Sequence, residues 1–303
     1  MRIGIAGAGA VGCHYGSLLQ QAGHELCYLA RGEHLAAMRR DGLLHVSNGV
    51  ETRLAVQATD DAALLREADV VLLAGKMTDF GALLQALVPH VPAGALLVTL
   101  QNGVAAPEMV QQMFPHHAIV AGTAFIGARI QRPGVVVHSA AGAIRLGHWQ
   151  AGPGEGLFQP LLDALHGAGV PVREEEDVRL MLWRKLLWNI GFNALTAITR
   201  RFARDMAAED ASCRLVRGAM QEAVRVAQAE GVLLGDEDID KHVQVTLDMG
   251  PVKTSMWQDI ERKRPTEVDF LNGFVVRRGA QLGVATPVND MLTVLVHAIE
   301  GAG

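Results

Sequence analysis

Lys185, Asn189 and Asn193 stand four residues apart in a chain of 303, within the run Leu182-Trp183-Arg184-Lys185-Leu186-Leu187-Trp188-Asn189-Ile190-Gly191-Phe192-Asn193. That spacing places an amine and two carboxamides along one face of a helix. The neighbours are leucine, tryptophan, isoleucine and phenylalanine, so the face is expected to be partly enclosed. A cationic lysine in such a place can stabilise and protonate an oxygen that gains negative charge during a reaction. Two asparagines inside a helix run against propensity, and that local conflict asks for a compensating reason. The alternative is structural: an interhelical hydrogen-bond network, with Lys185 reaching outward to water. Ser255, in Lys253-Thr254-Ser255-Met256-Trp257-Gln258-Asp259, and Glu267, in Pro265-Thr266-Glu267-Val268-Asp269-Phe270, are further polar candidates. Each also has a purely structural reading. Glu267 would complement a helix dipole, Thr266 with Asp269 would form a capping box, and Ser255 would cap a helix. Spacing alone makes neither of them catalytic.

A second set of candidates lies at the ends of apolar runs near the N-terminus. Met1-Arg2-Ile3-Gly4-Ile5-Ala6 reads as a buried strand and is followed at once by Gly7-Ala8-Gly9-Ala10-Val11-Gly12. A helical stretch and a second apolar run, Glu25 to Ala30, come next. A glycine triplet between strand and helix is the fingerprint of a dinucleotide-binding turn. Gly7 permits the tight turn, Gly9 admits a pyrophosphate close to the backbone, and Gly12 lets helix pack on strand. Ala8, Ala10 and Val11 complete the loop, whose N–H groups and helix dipole would face the phosphates. An acid at the end of the second strand would bind both ribose hydroxyls of NAD, but this position holds Arg31. A guanidinium fits a 2′-phosphate bidentately, so the expected cofactor is NADP(H). The alternative leaves Arg31 as a solvated loop charge and gives the acid's role to Glu33. Two later strand ends deliver Lys76, after Val70 to Gly75, and Gln101-Asn102-Gly103, after Leu97 to Leu100. Ligands of doubly wound sheets gather at such ends, where Lys76 and Asn102 would meet cofactor or substrate. Read separately, Asn102-Gly103 is a turn signal and Lys76 a surface lysine.

The elements that must position these groups fall into two classes. Apolar strand-like runs alternate with helical patterns through the first half, which indicates a doubly wound α/β sheet with helices on both faces. The reading places helices over 60–68, 80–87, 106–113 and 156–165, and strands over 70–74 and 95–100. Further β-rich pieces at 118–121, 135–139 and 143–147 extend the sheet. Pro171 and the acidic cluster Glu174 to Asp177 mark the change of domain. Beyond it the spacing predicts helices over 178–199, 207–230, 237–248, 255–262 and 268–282. The expected organisation is therefore a Rossmann-type NADP-binding domain over 1–172 and an all-helical domain over 173–303 that carries substrate and catalysis.

Bulk composition narrows the function. Half the residues are apolar and 19% are charged, enough to bury a core in each domain. The net charge of −5, without a basic tract, argues against a nucleic-acid binder. The longest apolar runs are strand-sized, so no membrane span is expected. The opening strand leaves no room for a signal peptide. Cys13, Cys27 and Cys213 are scattered, no His/Cys/carboxylate group has ligand spacing, and no metal is expected. A reducing, cytoplasmic setting follows.

These motifs, in this order and across essentially the whole chain, resemble the ketopantoate reductases (2-dehydropantoate 2-reductases). The resemblance rests on Gly7-x-Gly9-x-x-Gly12 with Arg31, Lys76, Gln101-Asn102-Gly103, Leu182 to Leu186 with Asn189 and Asn193, Thr254 to Asp259, and Glu267 to Gly273. It implies NADPH-dependent reduction of 2-dehydropantoate to (R)-pantoate, the step that feeds pantothenate and coenzyme A synthesis. By the same resemblance Lys185 is the general acid and Glu267 holds the substrate hydroxyl. Asn189, Asn193 and Ser255 would bind the substrate's hydroxyl and carboxylate groups. Arg31 would contact the 2′-phosphate, and Lys76 and Asn102 would line the junction of cofactor and substrate. Burial would lower the pKa of Lys185 toward working pH, and Glu267 would oppose that shift. Pocket walls such as Trp257 leave room for another branched or aromatic 2-oxo acid, and a non-catalytic NADPH sensor is the competing reading from outside enzymology. The partner is a small 2-oxo acid, and a homodimer is compatible with the sequence.

Overall fold

The computed structural model describes residues 1–301 and divides the chain into two compact units. The first comprises residues 1–101 and 106–178, the second residues 102–105 and 179–303. The division comes after Val178 and not at residue 172, because the segment that follows Pro171 is itself a strand of the sheet. The turn 102–105 also groups with the helical unit.

In the first unit β1 (Arg2–Ala6), α1 (Ala10–Gln21), β2 (Glu25–Leu29) and α2 (Gly32–Asp41) form the opening motif. Next come β3 (Leu43–Ser47), β4 (Val50–Leu54), β5 (Gln57–Thr59), β6 (Val70–Leu73), α3 (Met77–Leu87), β7 (Leu96–Thr99) and α4 (Ala105–Met113). β8 (Ile119–Arg132), β9 (Val135–Gln150), α5 (Phe158–Gly167) and β10 (Val172–Glu174) complete it. The strand order is β4-β3-β9-β8-β7-β6-β1-β2-β5, with β10 beside β9. The six strands from β5 to β8 run parallel, as the Rossmann pattern requires. The rest of the sheet is mixed: β9 is antiparallel to β8, and β4 antiparallel to β3. Every residue of β6 and β7 is buried, which is why these strands read as continuous apolar runs. One core joins Ile3, Ile5, Val70, Leu72, Val98 and Val120 of the strands to Tyr15 and Leu19 of α1 and Phe158, Leu161 and Leu165 of α5.

Several expectations change here. The helix predicted over 60–68 is a 3₁₀ turn, Ala62–Glu67, capped by the Asp61 side chain. The three separate β pieces predicted after residue 118 are two long strands paired through a bulged hairpin. The strands β3, β4 and β5 and the helix α2 carry little periodic signal and were not expected from the sequence.

The second unit contains α6 (Val178–Thr199, from Arg179 onward), α7 (Ala203–Ala208), α8 (Asp210–Ala229), α9 (Asp236–Leu247), α10 (Ser255–Glu261), α11 (Asn272–Leu282) and α12 (Pro287–Glu300). The helix expected over 207–230 begins later, because Glu209 is extended and separates α7 from α8. Ser212 stabilises the break by donating to the carbonyls of Met206 and Glu209. The helix expected over 268–282 is likewise broken at Leu271, which leaves a 3₁₀ turn, Val268–Phe270, before α11. α12 lies beyond the last predicted helix. Its first N–H groups, from Val288 and Asn289, donate to the buried Glu222 carboxylate at 2.9 Å each. Gly191 permits close packing of α6 on α8, since a Cβ there would lie 2.4 Å from Met220 Cε. Among the described residues no helix is long and apolar enough to cross a membrane.

Candidate functional site

The glycine loop is built by three glycines with different reasons for being glycine. Gly7 has φ 98°, and a Cβ there would lie 2.4 Å from the backbone nitrogen of Gly75. A Cβ on Gly12 would lie 2.6 Å from the Gly7 carbonyl oxygen and 2.7 Å from Ile5 Cγ2. Chain folding therefore explains both. Gly9 is different: its φ is negative and a Cβ there would meet nothing within 4 Å. The space beside Gly9 is what a close-approaching ligand needs. Gly9 is also the N-cap of α1, without a side-chain cap and without an acid in the first turn. The first turn thus presents N–H groups and a positive dipole end without an acid of its own to neutralise it. A dinucleotide pyrophosphate fits this cradle by charge and by space.

Strand register brings the remaining first-unit candidates to one edge. Leu29 of β2 and Leu73 of β6 both pair with Ala6 at the end of β1. Arg31 follows β2 as the N-cap of α2, with its side chain largely exposed. Its guanidinium donates to the carboxylate of Asp79, in the first turn of α3. Asp79 was not among the residues expected from the sequence; its signal is an acid three positions after Lys76. Lys76 itself is the N-cap of α3 and is exposed. Gln101 ties the next strand end back by donating from Nε2 to the Gly75 carbonyl at 3.2 Å. Glu33 lies exposed in the first turn of α2. Asn102 is half-buried and falls within the second unit, where a Cβ on Gly103 would lie 3.1 Å from the Phe270 carbonyl oxygen.

In the second unit α6 sorts its polar residues into two groups. Arg184 pairs with the buried Asp238 at 2.8 Å, and Trp188 donates to Thr246 Oγ1 at 2.9 Å, so these two fasten α6 to α9. Lys185, Asn189 and Asn193 follow the other register. Lys185 is half-buried, Asn189 and Asn193 fully so. Neither end of the Asn193 carboxamide has a hydrogen-bond partner within the protein, and nor does Asn189 Nδ2. A buried polar atom left in this state costs about 1–3 kcal/mol. A buried interhelical network through Asn272, Asn289 and Glu222 meets α6 at the Ile190 carbonyl and not at the side chains of Asn189 or Asn193. The structural alternative for the α6 asparagines therefore loses its main support.

Burial pushes the Lys185 amine down to about 8, and the charge of Glu267 acts in the opposite direction. Glu267 is half-buried and begins the 3₁₀ turn before α11, its carbonyl accepting from Phe270 N at 3.0 Å. The capping box expected from Thr266 and Asp269 does not form. Thr266 Oγ1 accepts from Val268 N, while Asp269 pairs with His297 at 3.1 Å. Ser255 is not a cap either: Thr254 caps α10 by accepting from Trp257 N, and leaves Ser255 exposed at the first position of the helix. Trp257 is buried, its ring beneath Lys253 Nζ and 5.4 Å from Phe202. Among the described residues no group of three or more metal-ligating side chains is assembled, and the three cysteines are free thiols. Burial raises Cys13, in the first turn of α1, to about 12, which keeps it a protonated thiol.

The second unit thus holds an amine that burial lowers to about 8, a carboxylate acting on it, and unsatisfied amide groups on the same helix. Such a set can bind a polyoxygenated anion and protonate one of its oxygens. Known proteins are similar to the chain in both of its units. Residues 3–151 match the family described as ketopantoate reductase PanE/ApbA, and residues 177–300 match its C-terminal part. The chain is 30% identical to the 2-dehydropantoate 2-reductase of Streptococcus pyogenes serotype M3, over 99% of this chain and 98% of that protein. It is 30% identical to the enzyme of the same name from Halobacterium salinarum, over the full length of both. Among solved structures, a PanE/ApbA family ketopantoate reductase from Ralstonia eutropha superposes with a TM-score of 0.92 at 33% identity, covering 100% of this chain and 99% of that one. D-mandelate dehydrogenase in a ternary structure with NADH and anilino(oxo)acetate also reaches 0.92, at 27% identity and the same coverage. The chain belongs to the ketopantoate reductase family and has the fold of an oxidoreductase of that family.

Proposed function

We propose that this protein reduces 2-dehydropantoate to (R)-pantoate with NADPH, and that Lys185 is the general acid. The observation that carries the reading is the state of α6: an amine lowered to about 8 beside Glu267, in register with buried Asn193, neither end of whose amide has a protein partner, and buried Asn189, whose Nδ2 has none. A bound reduced nicotinamide supplies the hydride that a 2-ketone must receive at carbon. The Lys185 ammonium stabilises the alkoxide that develops on the ketone oxygen and then gives it a proton. This interaction is stronger in the transition state than in the ground state and so accelerates the reaction. Glu267 holds a substrate hydroxyl and keeps enough of Lys185 protonated near neutral pH. Asn189, Asn193 and Ser255 receive the carboxylate and hydroxyl groups, with Asn193 gaining the hydrogen bonds it lacks in the free protein. In the first unit the Gly7–Gly12 loop would carry the pyrophosphate, Arg31 the 2′-phosphate, and Lys76 the region next to the reacting end. Asn102, in the turn that groups with the second unit, would bind cofactor and substrate.

The test is Lys185→Ala, assayed by NADPH oxidation with 2-dehydropantoate and by NADPH binding. Loss of the acid should lower kcat by about 10²- to 10⁴-fold while leaving the NADPH Kd within about twofold, because the substitution removes a proton donor and no cofactor contact. Unchanged turnover would remove Lys185 from the mechanism. NADPH binding without turnover of any 2-oxo acid by the unmodified protein would favour a sensor.

A further inference from the structure

Arg31 reaches the ligand edge of the sheet already engaged. Its Nη2 donates to the carboxylate of Asp79, from the first turn of α3, and both side chains are more than half exposed. The pair spans the ends of β2 and β6, two strands that flank β1 and its glycine loop. A carboxylate is thus fixed where a 2′-phosphate would seek the guanidinium. We propose that Asp79 is a specificity-determining residue that lowers the preference of this chain for NADPH over NADH. The proposal rests on the assignment of Arg31 to the 2′-phosphate.

The physical argument is competition for one cation. A guanidinium binds a phosphate best with two parallel N–H donors, and Asp79 occupies one side of that fork. A 2′-phosphate must either displace the carboxylate or bind within a few ångströms of its negative charge. NADH, whose ribose carries neutral hydroxyls at this point, meets neither cost and can donate a hydroxyl hydrogen bond to the same carboxylate. An acid serves that purpose at the end of the second strand in NAD-binding sheets; here it comes from a different element. The ternary structure of D-mandelate dehydrogenase with NADH shows that this scaffold accommodates the cofactor without the phosphate.

The experiment measures Kd for NADPH and for NADH by quenching of intrinsic fluorescence, in the unmodified protein, Asp79→Asn, Arg31→Ala and the double variant. The proposal expects Asp79→Asn to raise the NADPH over NADH ratio by roughly tenfold at low salt, chiefly through tighter NADPH binding, and by less at 0.5 M salt. In the Arg31→Ala background the same substitution should change the ratio by less than about threefold. If Asp79→Asn leaves the ratio unchanged or lowers it while Arg31→Ala still costs NADPH selectively, the carboxylate only orients Arg31 and the proposal fails alone. If Arg31→Ala weakens both cofactors equally, the 2′-phosphate assignment fails and the role of Asp79 falls with it.

Discussion

Raising the pH should switch this enzyme off well before a normal lysine would lose its proton. An ordinary lysine titrates at 10.5, while burial brings Lys185 to about 8, with Glu267 opposing the shift. A group at about 8 is ~90% protonated at pH 7 and ~10% protonated at pH 9, so kcat/KM should fall roughly ninefold across that interval. At the ordinary lysine value the loss by pH 9 would be only about 3%. The two cases are easily separated by a pH–rate profile of NADPH oxidation from pH 6.5 to 10 with 2-dehydropantoate well below KM. Glu267→Gln supplies the control for sign. Removing its negative charge withdraws the influence that raises the Lys185 pKa, so the alkaline limb should move to lower pH while kcat also falls. A profile flat to pH 9.5, or a limb that moves to higher pH in Glu267→Gln, would refute both the proton-donor role and its electrostatic setting.

Three further substitutions separate what folding needs from what a ligand needs. Gly9→Ala should leave the melting temperature nearly unchanged, since its Cβ would meet nothing within 4 Å, yet weaken NADPH binding by about tenfold or more through loss of the close pyrophosphate approach. Gly12→Ala should instead cost about 1–3 kcal/mol of stability, because its Cβ would lie 2.6 Å from a backbone oxygen that cannot rotate away. Asn193→Leu should hold or raise stability by about 1 kcal/mol in denaturant unfolding, because it removes a buried amide with no protein partner. The same change should raise KM for the oxo acid by about tenfold or more by removing the hydrogen bonds that Asn193 is proposed to make. A loss of stability without a change in KM would assign Asn193 to the core instead.

Much of the candidate site was legible because its signals are local. The glycine loop needs only a strand, a turn and a helix in sequence, and all three formed where the apolar runs placed them. Lys185, Asn189 and Asn193 needed only a helical repeat, and α6 runs without interruption from Val178 to Thr199. What escaped depends on pairing across the chain. β3, β4 and β5 are short and largely polar on one side, so their strand character comes from pairing: β3 with Val135 to His138 of β9, β4 with β3, and β5 with β2. The breaks at Glu209 and Leu271 interrupt patterns that are helical by composition, because capping and packing outweigh propensity there. Thr254 and Ser255 are adjacent and chemically alike, and only the three-dimensional turn shows that Thr254 is the cap and leaves Ser255 exposed. Asp79 escaped for the same reason: its partner Arg31 lies 48 residues earlier.

The most direct test of the account is a comparison of kcat/KM for 2-dehydropantoate, a straight-chain 2-oxo acid and an aromatic 2-oxo acid, each with NADPH and with NADH. 2-Dehydropantoate should be reduced at least tenfold more efficiently than the other acids, and NADPH should be the better cofactor. Preferred turnover of the aromatic acid with NADH would contradict it, and would place the chain functionally beside the mandelate dehydrogenase whose fold it shares.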